Sequence, residues 1–504
     1  MAVLCIDVGS SMIKAVAFDD RGRELALARQ ETAVRRPRPG FAEQDMDEVW
    51  NAVVFTARTA ARQLHEGVEL LAFTAQGDGC WLIDGAGRPT GPAIVWNDAR
   101  GRAIVERWRR AGTLEAAFRV NGSLGFAGLP HAILAWLHEQ DPDRLERSHA
   151  ALTCGGWVFA KLTGEVAVDE SDASVPFMDI RARRYSSELL ALYELEWAER
   201  LLPEIRGDDR RTASLRPEAA TELGLRAGLP VVMAPYDVAA CAIGVGAVRP
   251  GHACSILGTT LCTEVVVDEP SDETPAGLTI AAPDGRWLRA FPTLAGGEVV
   301  VWAVRQLGLR DPGELSQLAD RVEPGAGGLR VLPYLSPAGE RAPFLAPEAR
   351  GMVLGLSLEH EREHLCRAVL EGLTFVVRDC LRASDSTPSE PQLCGLCGGG
   401  ARSAVWCQLI ADAIGVPTFR VLDTEVGAKG AFVVGLVATG SQADHATAAE
   451  RFARRRDTFE PDADRHACYE ELYEEFLELR ELAAPQWRRL AAVRDLSPPV
   501  EAAP

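Results

Sequence analysis

One pattern occurs twice in this 504-residue chain and limits what it can fold into. A short apolar strand enters a turn of one glycine and two hydroxyl residues, and a β-branched strand leaves it. The first copy is Ala2–Ile6, the turn Asp7-Val8-Gly9-Ser10-Ser11, then Ile13–Phe18. The second is His252–Leu257, the turn Gly258-Thr259-Thr260, then Cys262–Val267. The copies lie about half the chain apart, and repetition on that scale predicts two related domains. A single hydrophobic core would not organise a chain of this length. Gly244, Gly246, Pro250 and Gly251 cluster between the copies, so we expect an N-terminal domain over 1–245 and a C-terminal domain over 246–485. Residues 486–504 read as a tail without order, most plainly in the Pro-containing stretch after Leu496.

A Gly-hydroxyl turn can aim backbone N–H groups and side-chain O–H groups at one anion, and glycine lets the backbone come close. Taken singly, each turn also reads as an ordinary β-turn, because Gly, Ser and Asp favour turns. Two turns at matching points of a repeat favour phosphate binding. Asp7 precedes the first turn and would repel phosphate on its own. It fits a site where Mg²⁺, held through water, lies between its carboxylate and the phosphates. Lys14 on the outgoing strand adds a positive charge. A third glycine-rich element, Gly398-Gly399-Gly400-Ala401-Arg402-Ser403, follows the strand-like Gln392–Leu396 and precedes a helical run over Val405–Ile414. Strand, glycines and helix N-terminus form a surface for a nucleotide. The spacing is that of neither the P-loop nor the dinucleotide fingerprint.

Formal net charge is −19, from 53 Lys+Arg against 72 Asp+Glu, which disfavours a nucleic-acid backbone as partner. Twelve cysteines are scattered, many in apolar runs, as expected of reduced buried thiols in the cytoplasm rather than a disulfide framework. No apolar run reaches the ~18 residues of a membrane span, and no signal-peptide pattern opens the chain. His360-Glu361-Arg362-Glu363-His364 matches the zinc-hydrolase pattern, but it sits at the charged start of a helix that turns apolar only at Leu365. Cys394 and Cys397 lack a second pair and read as buried strand thiols.

The ordered set of motifs resembles the FGGY carbohydrate kinases of the actin-like ATPase superfamily over residues 2 to 485. Its carriers are Ile6–Lys14, Pro39–Asp45, Trp96-Asn97-Asp98-Ala99-Arg100, Asp237 before Ala239-Ala240, Leu257–Thr260, Leu332–Leu335 with Glu340-Arg341-Ala342-Pro343, Ala368–Gly372 and Gly398–Ser403. The resemblance implies an α/β fold of two ribonuclease-H-like domains with a catalytic cleft between them, and ATP with Mg²⁺ as cofactors. It implies Asp237 as general base for the attacking hydroxyl. By composition alone Asp237 also reads as an N-cap for Val238–Ala242. The implied ATP and phosphate contacts are Gly9, Ser10, Ser11, Lys14, Gly258, Thr259, Thr260, Gly297, Gly399, Gly400 and Ala401. The implied substrate contacts are Gln76, Gly77, Asp78, Trp96 and Asp237. Ala75-Gln76-Gly77-Asp78-Gly79 stands where xylulokinases carry Gly-Gln-Met-His-Gly, and it resembles erythritol kinases and, less closely, L-xylulose kinases. Gly77-Asp78-Gly79 also reads as a plain hairpin turn. Ala234-Pro235-Tyr236 departs from the glycines many members carry before the base. The expected activity is phosphorylation of a small polyol or ketose, erythritol first and xylulose or L-xylulose next. A non-catalytic actin-like sugar sensor is the reading from another class. A homodimer is a family-level expectation.

Overall fold

The computed structural model describes residues 2–270, 275–384 and 391–496. The tail expected after Leu496 lies outside the described residues. Two mixed sheets organise the chain. The first holds β1 (Ala2–Val8), β2 (Met12–Phe18), β3 (Glu24–Glu31), β4 (Val68–Ala75), β5 (Thr212–Ser214) and β6 (Pro230–Met233), in the order β5-β6-β4-β1-β2-β3. The second holds β7 (His252–Leu257), β8 (Leu261–Val267), β9 (Leu278–Ala281), β10 (Trp287–Pro292), β11 (Leu393–Cys397), β12 (Thr418–Val421) and β13 (Arg455–Phe459), in the order β9-β10-β8-β7-β11-β12-β13. In each, the first strand of a Gly-hydroxyl hairpin lies between its hairpin partner and a later parallel strand, β4 in one and β11 in the other. The repeat in sequence is a repeat of topology.

The parallel strands explain the apolar runs. Every residue of β1 is buried except Asp7, as in strands covered on both faces. β1, β4 and β6 run the same way, and Asp7, Gln76 and Asp237 all follow toward their carboxyl ends. Ligands of α/β sheets gather at that edge.

The helices used below are α1 (Met46–Ala61), α2 (Asp237–Val245), α3 (Gly297–Gln306), α4 (Arg362–Arg382), α5 (Ala404–Ile414), α6 (Val426–Ala438) and α7 (Ala463–Leu496). The chain packs into two compact units. One comprises Met1–Pro250, Val265–Ala290 and Leu422–Arg454; the other comprises Gly251–Glu264, Phe291–Val421 and Arg455–Pro504. In the first unit α6 is apolar almost all round and enters a core with Val3, Val16, Phe18, Leu70, Val232 and Ile243. It meets α2 through glycines. A Cβ on Gly430 would lie 1.9 Å from the Ala240 carbonyl oxygen, and one on Gly244 would lie 2.1 Å from that of Val426.

In the second unit α4 packs on α7, with the Phe375 ring 5.3–6.1 Å from those of Tyr469, Tyr473 and Phe476. α7 carries helix past residue 485 as far as Leu496, and Trp487 is buried against Tyr334 and Phe344. The zinc-like motif is spent on capping. Glu361 N–H donates to His364 Nδ1 at 3.0 Å, the helix begins only at Arg362, and His360 Nδ1 accepts from Ser357 N at 2.9 Å. Among the described residues no three His, Cys, Asp or Glu side chains gather as a metal site. All twelve cysteines are free thiols; Cys394 and Cys397 are buried in β11, and burial pushes the Cys394 thiol up to about 12. Among the described residues no helix is long and apolar enough to cross a membrane.

The α2–α6 contact gives a direct test. Gly430→Ala forces a methyl onto the α2 backbone, and overpacking of this kind costs about 1–3 kcal/mol. Gly399 has open space around its missing Cβ and helical dihedrals, so Gly399→Ala is expected within about 0.5 kcal/mol of the parent. Urea midpoints of the two variants check the contrast.

Candidate active site

In the first unit the hairpin, Gln44 and Gln76 form one hydrogen-bonded assembly. Gly9 makes the turn possible, since a Cβ there would lie 2.9 Å from the Met12 carbonyl oxygen. The Ser10 carbonyl accepts from Thr32 Oγ1 at 2.9 Å and from Gln44 Nε2 at 2.8 Å. Gln44 Oε1 in turn accepts from Gln76 Nε2 at 2.8 Å, and Gln76 N–H donates to the Val8 carbonyl at 2.9 Å. Gln76 is therefore buried and fixed to the hairpin, with its Oε1 left without a hydrogen-bond partner. Ser11 is exposed.

Gly77-Asp78-Gly79 is a bend and not a hairpin. The strands on either side of it, β4 and Trp81–Ile83, belong to different sheets. Asp78 takes a left-handed conformation with φ 57°, and a Cβ on Gly77 would lie 2.2 Å from the Tyr236 ring. The large residue before Asp237 thus rests where only glycine allows it. Trp96 is half-buried at the start of a supported loop. Asp98 beyond it accepts from Ala42 N at 2.6 Å and pairs with Arg100, whose guanidinium also reaches Glu43 at 2.7 Å and lies 4.1 Å from the Phe41 ring centroid. The motifs at 39–45 and 96–100 are two halves of one support.

Asp237 is the first residue of α2, with Tyr236 as N-cap, so it is not the cap itself. Its Oδ1 accepts from the Val238 N–H at 2.8 Å. Burial pushes its carboxyl up to about 7; the Asp7 charge adds to this, the Val238 and Gly77 N–H groups oppose it, and Asp78 raises it further. A carboxyl poised there can take a proton at neutral pH. The Asp7 carboxyl is raised by burial and opposed by Lys14. Lys14 Nζ stands 3.7 Å from Asp7 and 3.0 Å from Glu425, the residue that opens α6, and Arg29 closes on Glu425 at 2.5 Å. Lys14 is thereby engaged by two carboxylates.

In the second unit a cavity of about 1210 Å³ is bordered by Gly258, Thr259, Gly297, Gly399, Gly400 and Arg402, among others. Small-molecule sites of ~300–1,000 Å³ hold drug-sized ligands, so the space suffices for a nucleotide. Glycines build its walls. A Cβ on Gly297 would lie 2.4 Å from the Gly258 carbonyl oxygen, and one on Gly400 would lie 2.5 Å from the Trp406 ring. Ser403 caps α5, accepting from Trp406 N at 3.1 Å. Thr260 and Ala401 are not part of the cavity lining. Ala401 is buried, and its carbonyl accepts from Arg420 at 2.9 Å.

Three features escape sequence reasoning. Asp172 is buried; burial, then the charge of Asp169, holds its carboxyl well above the usual range, and the charges of Asp78 and Asp237 add to this. Nothing local in Glu170–Ala173 signals it. Arg305 and Arg402 bring cations to the cavity. Trp302 lines it too, and a signal existed: Val299-Val300-Val301-Trp302 places four apolar residues in succession on a helix, which cannot all face one core. Val301 is 61% exposed.

The comparisons agree with this architecture. Residues 2–244 match the model of the FGGY family of carbohydrate kinases, N-terminal domain, and residues 253–439 match that of the C-terminal domain. The erythritol kinase of Brucella abortus is 32% identical over 97% of this chain and 98% of its own. The xylulose kinase of Escherichia coli is 29% identical over 95% and 99%. A crystal structure of ligand-bound xylulose kinase from Lactobacillus acidophilus superposes with a TM-score of 0.91, covering 97% of this chain and 99% of that one at 22% identity, a likeness of fold. With both of its sheets laid out in this order and both family domains matched, the chain belongs to the FGGY family of carbohydrate kinases, on the actin-like ATPase fold.

Proposed function

We propose that this carbohydrate kinase transfers the γ-phosphate of ATP to a primary hydroxyl of a small polyol or ketose, with erythritol as the first candidate and xylulose or L-xylulose next. The observation that carries the reading is the Asp237 carboxyl, poised at about 7 at the start of α2 with Gln76 and Asp78 around it. Such a group accepts the proton of a hydroxyl as its oxygen bonds to the γ-phosphorus and the bond to the ADP oxygen breaks. Gln76 Oε1 and the Asp78 carboxylate are acceptors, which suits hydroxyl donors of a neutral polyol. Erythritol is favoured by the Gln76-Gly77-Asp78-Gly79 segment and by the likeness to a protein named erythritol kinase.

In this reading Gly9, Ser10, Ser11 and Lys14 serve the phosphates from the first unit. Gly258, Thr259, Gly297, Gly399 and Gly400, all on the cavity wall, serve the nucleotide in the second, while Thr260 and Ala401 stand outside that wall. Asp7 fits Mg²⁺ through water: its half-buried carboxyl has only the shared Lys14 cation beside it, and among the described residues no group of three His, Cys, Asp or Glu forms a direct ligand set. Bound there, the ion would add positive charge to the phosphoryl oxygens.

Four outcomes are expected. MgATP with a panel of polyols and ketoses releases ADP in a substrate-dependent way, and silence across the panel would remove the proposal. Asp237→Asn lowers kcat by about 10³-fold or more, in line with loss of an essential base, while ATP binding by calorimetry persists. In the parent, kcat/KM falls tenfold per pH unit below about 7, because protonated Asp237 cannot accept the proton, and levels off above it. Lys14→Met leaves Asp7 and Glu425 without their shared cation. Lys14 is 30% exposed, so the loss is discounted to about 1–3 kcal/mol from the value for a fully buried pair. Adding Glu425→Gln should recover part of it in urea melts.

A further inference from the structure

We infer that Glu340 is the positioning residue of the second phosphate hairpin, acting through the segment Thr293–Glu298; the inference rests on the nucleotide reading of that unit. Glu340 is 1% exposed and belongs to Glu340-Arg341-Ala342-Pro343, a motif to which the reaction assigns no task. Its carboxylate takes three backbone donors. Leu294 N–H reaches Oε1 at 2.6 Å, Arg341 N–H reaches Oε1 at 2.9 Å, and Ala295 N–H reaches Oε2 at 3.0 Å. Arg341 Nε fastens the same segment at the Pro292 carbonyl, 2.8 Å away.

The other side of Thr293–Glu298 is zipped to the hairpin. Thr293 N–H donates to the Leu261 carbonyl at 2.9 Å, and Leu261 N–H donates to that of Ala295 at 3.0 Å. Gly297 N–H then takes the Gly258 carbonyl at 2.9 Å, and Glu298 N–H takes that of Thr259 at 3.0 Å. The first amides of α3 thus draw the hairpin carbonyls toward themselves. Carbonyl oxygens are the hairpin groups an anion would reject, and turning them away leaves donors for the phosphate. The fit is close: a Cβ on Gly296 would lie 2.4 Å from Thr260 Cα, so the segment and hairpin touch backbone to backbone. Glu340 holds the segment at Leu294, which itself borders the cavity.

A buried carboxylate is a costly way to satisfy two loop amides. Burial pushes the Glu340 carboxyl up to about 7, against the pull of the three N–H groups and Arg341. A glutamine in its place keeps the shape but sets an NH₂ group against a backbone N–H, so one bond is lost without opening a cavity.

The full-length Glu340→Gln and Glu340→Ala variants separate positioning from mere structure. For Glu340→Gln we expect at least fivefold weaker MgADP binding by calorimetry and an equal rise in KM for ATP, with KM for the polyol within twofold of the parent. Glu340→Ala should weaken MgADP further. MgADP affinity within twofold of the parent in Glu340→Gln, or equal rises in both KM values, would overturn the inference. Should neither variant fold, hydrogen exchange of the parent decides: MgADP should protect the amides of Thr293–Glu298, and unchanged exchange there would overturn it. A parent that binds no MgADP refutes the nucleotide reading instead.

Discussion

The close approach of α6 to α2 and β1 is the contact on which the first unit's chemistry depends. Glycines at 244, 427 and 430 remove the side chains that would hold these elements apart, and the missing Cβ of Gly427 would stand 3.0 Å from Asp7 Oδ2. The contact has two consequences. It encloses Asp7 and Asp237 in low-dielectric surroundings, where burial raises both carboxyls and the Asp7 charge raises that of Asp237 further. It also delivers Glu425 from the start of α6 to Lys14, so the cation nearest Asp7 is shared. A carboxyl poised near neutrality is therefore a product of packing far along the chain, and not of its neighbours in sequence.

The second unit is built by a related route. Its hairpin, the start of α3 and Gly398–Gly400 approach one another with backbone against backbone. Gly398 has φ +85°, and a Cβ on it would lie 2.8 Å from the Leu257 carbonyl oxygen. Because no side chain intervenes, main-chain donors can be preorganised around a ligand at small cost when it binds. The two units share a topology and a Gly-hydroxyl turn but use different supports. Gln44 and Gln76 hold the first turn, while Thr293–Glu298 holds the second.

Much of this is legible in the sequence because it is local. The Gly-hydroxyl turns, the apolar strands around them and the glycines at 398–400 carry their signatures within a few residues, and the strands and helices fall close to where periodicity puts them. The support formed by Pro39–Asp45 and Trp96–Arg100 is visible only as two motifs, since Arg100 against Asp98, Glu43 and Phe41 is a tertiary contact. The placement of Val265–Ala290 and Leu422–Arg454 with the first unit is invisible for the same reason. Asp172 and Glu340 look like ordinary acids until burial is known. His360–His364 shows the opposite error that a pattern invites, because its residues cap a helix rather than share a face.

A carbohydrate kinase must deliver the γ-phosphate to a sugar or polyol hydroxyl. A single-turnover experiment with ATP radiolabelled in that group, run with and without erythritol and the pentuloses, tests this directly. The label should move to a polyol or ketose phosphate in step with ADP formation. Label appearing only as inorganic phosphate, at a rate that no polyol or ketose changes, would contradict this transfer.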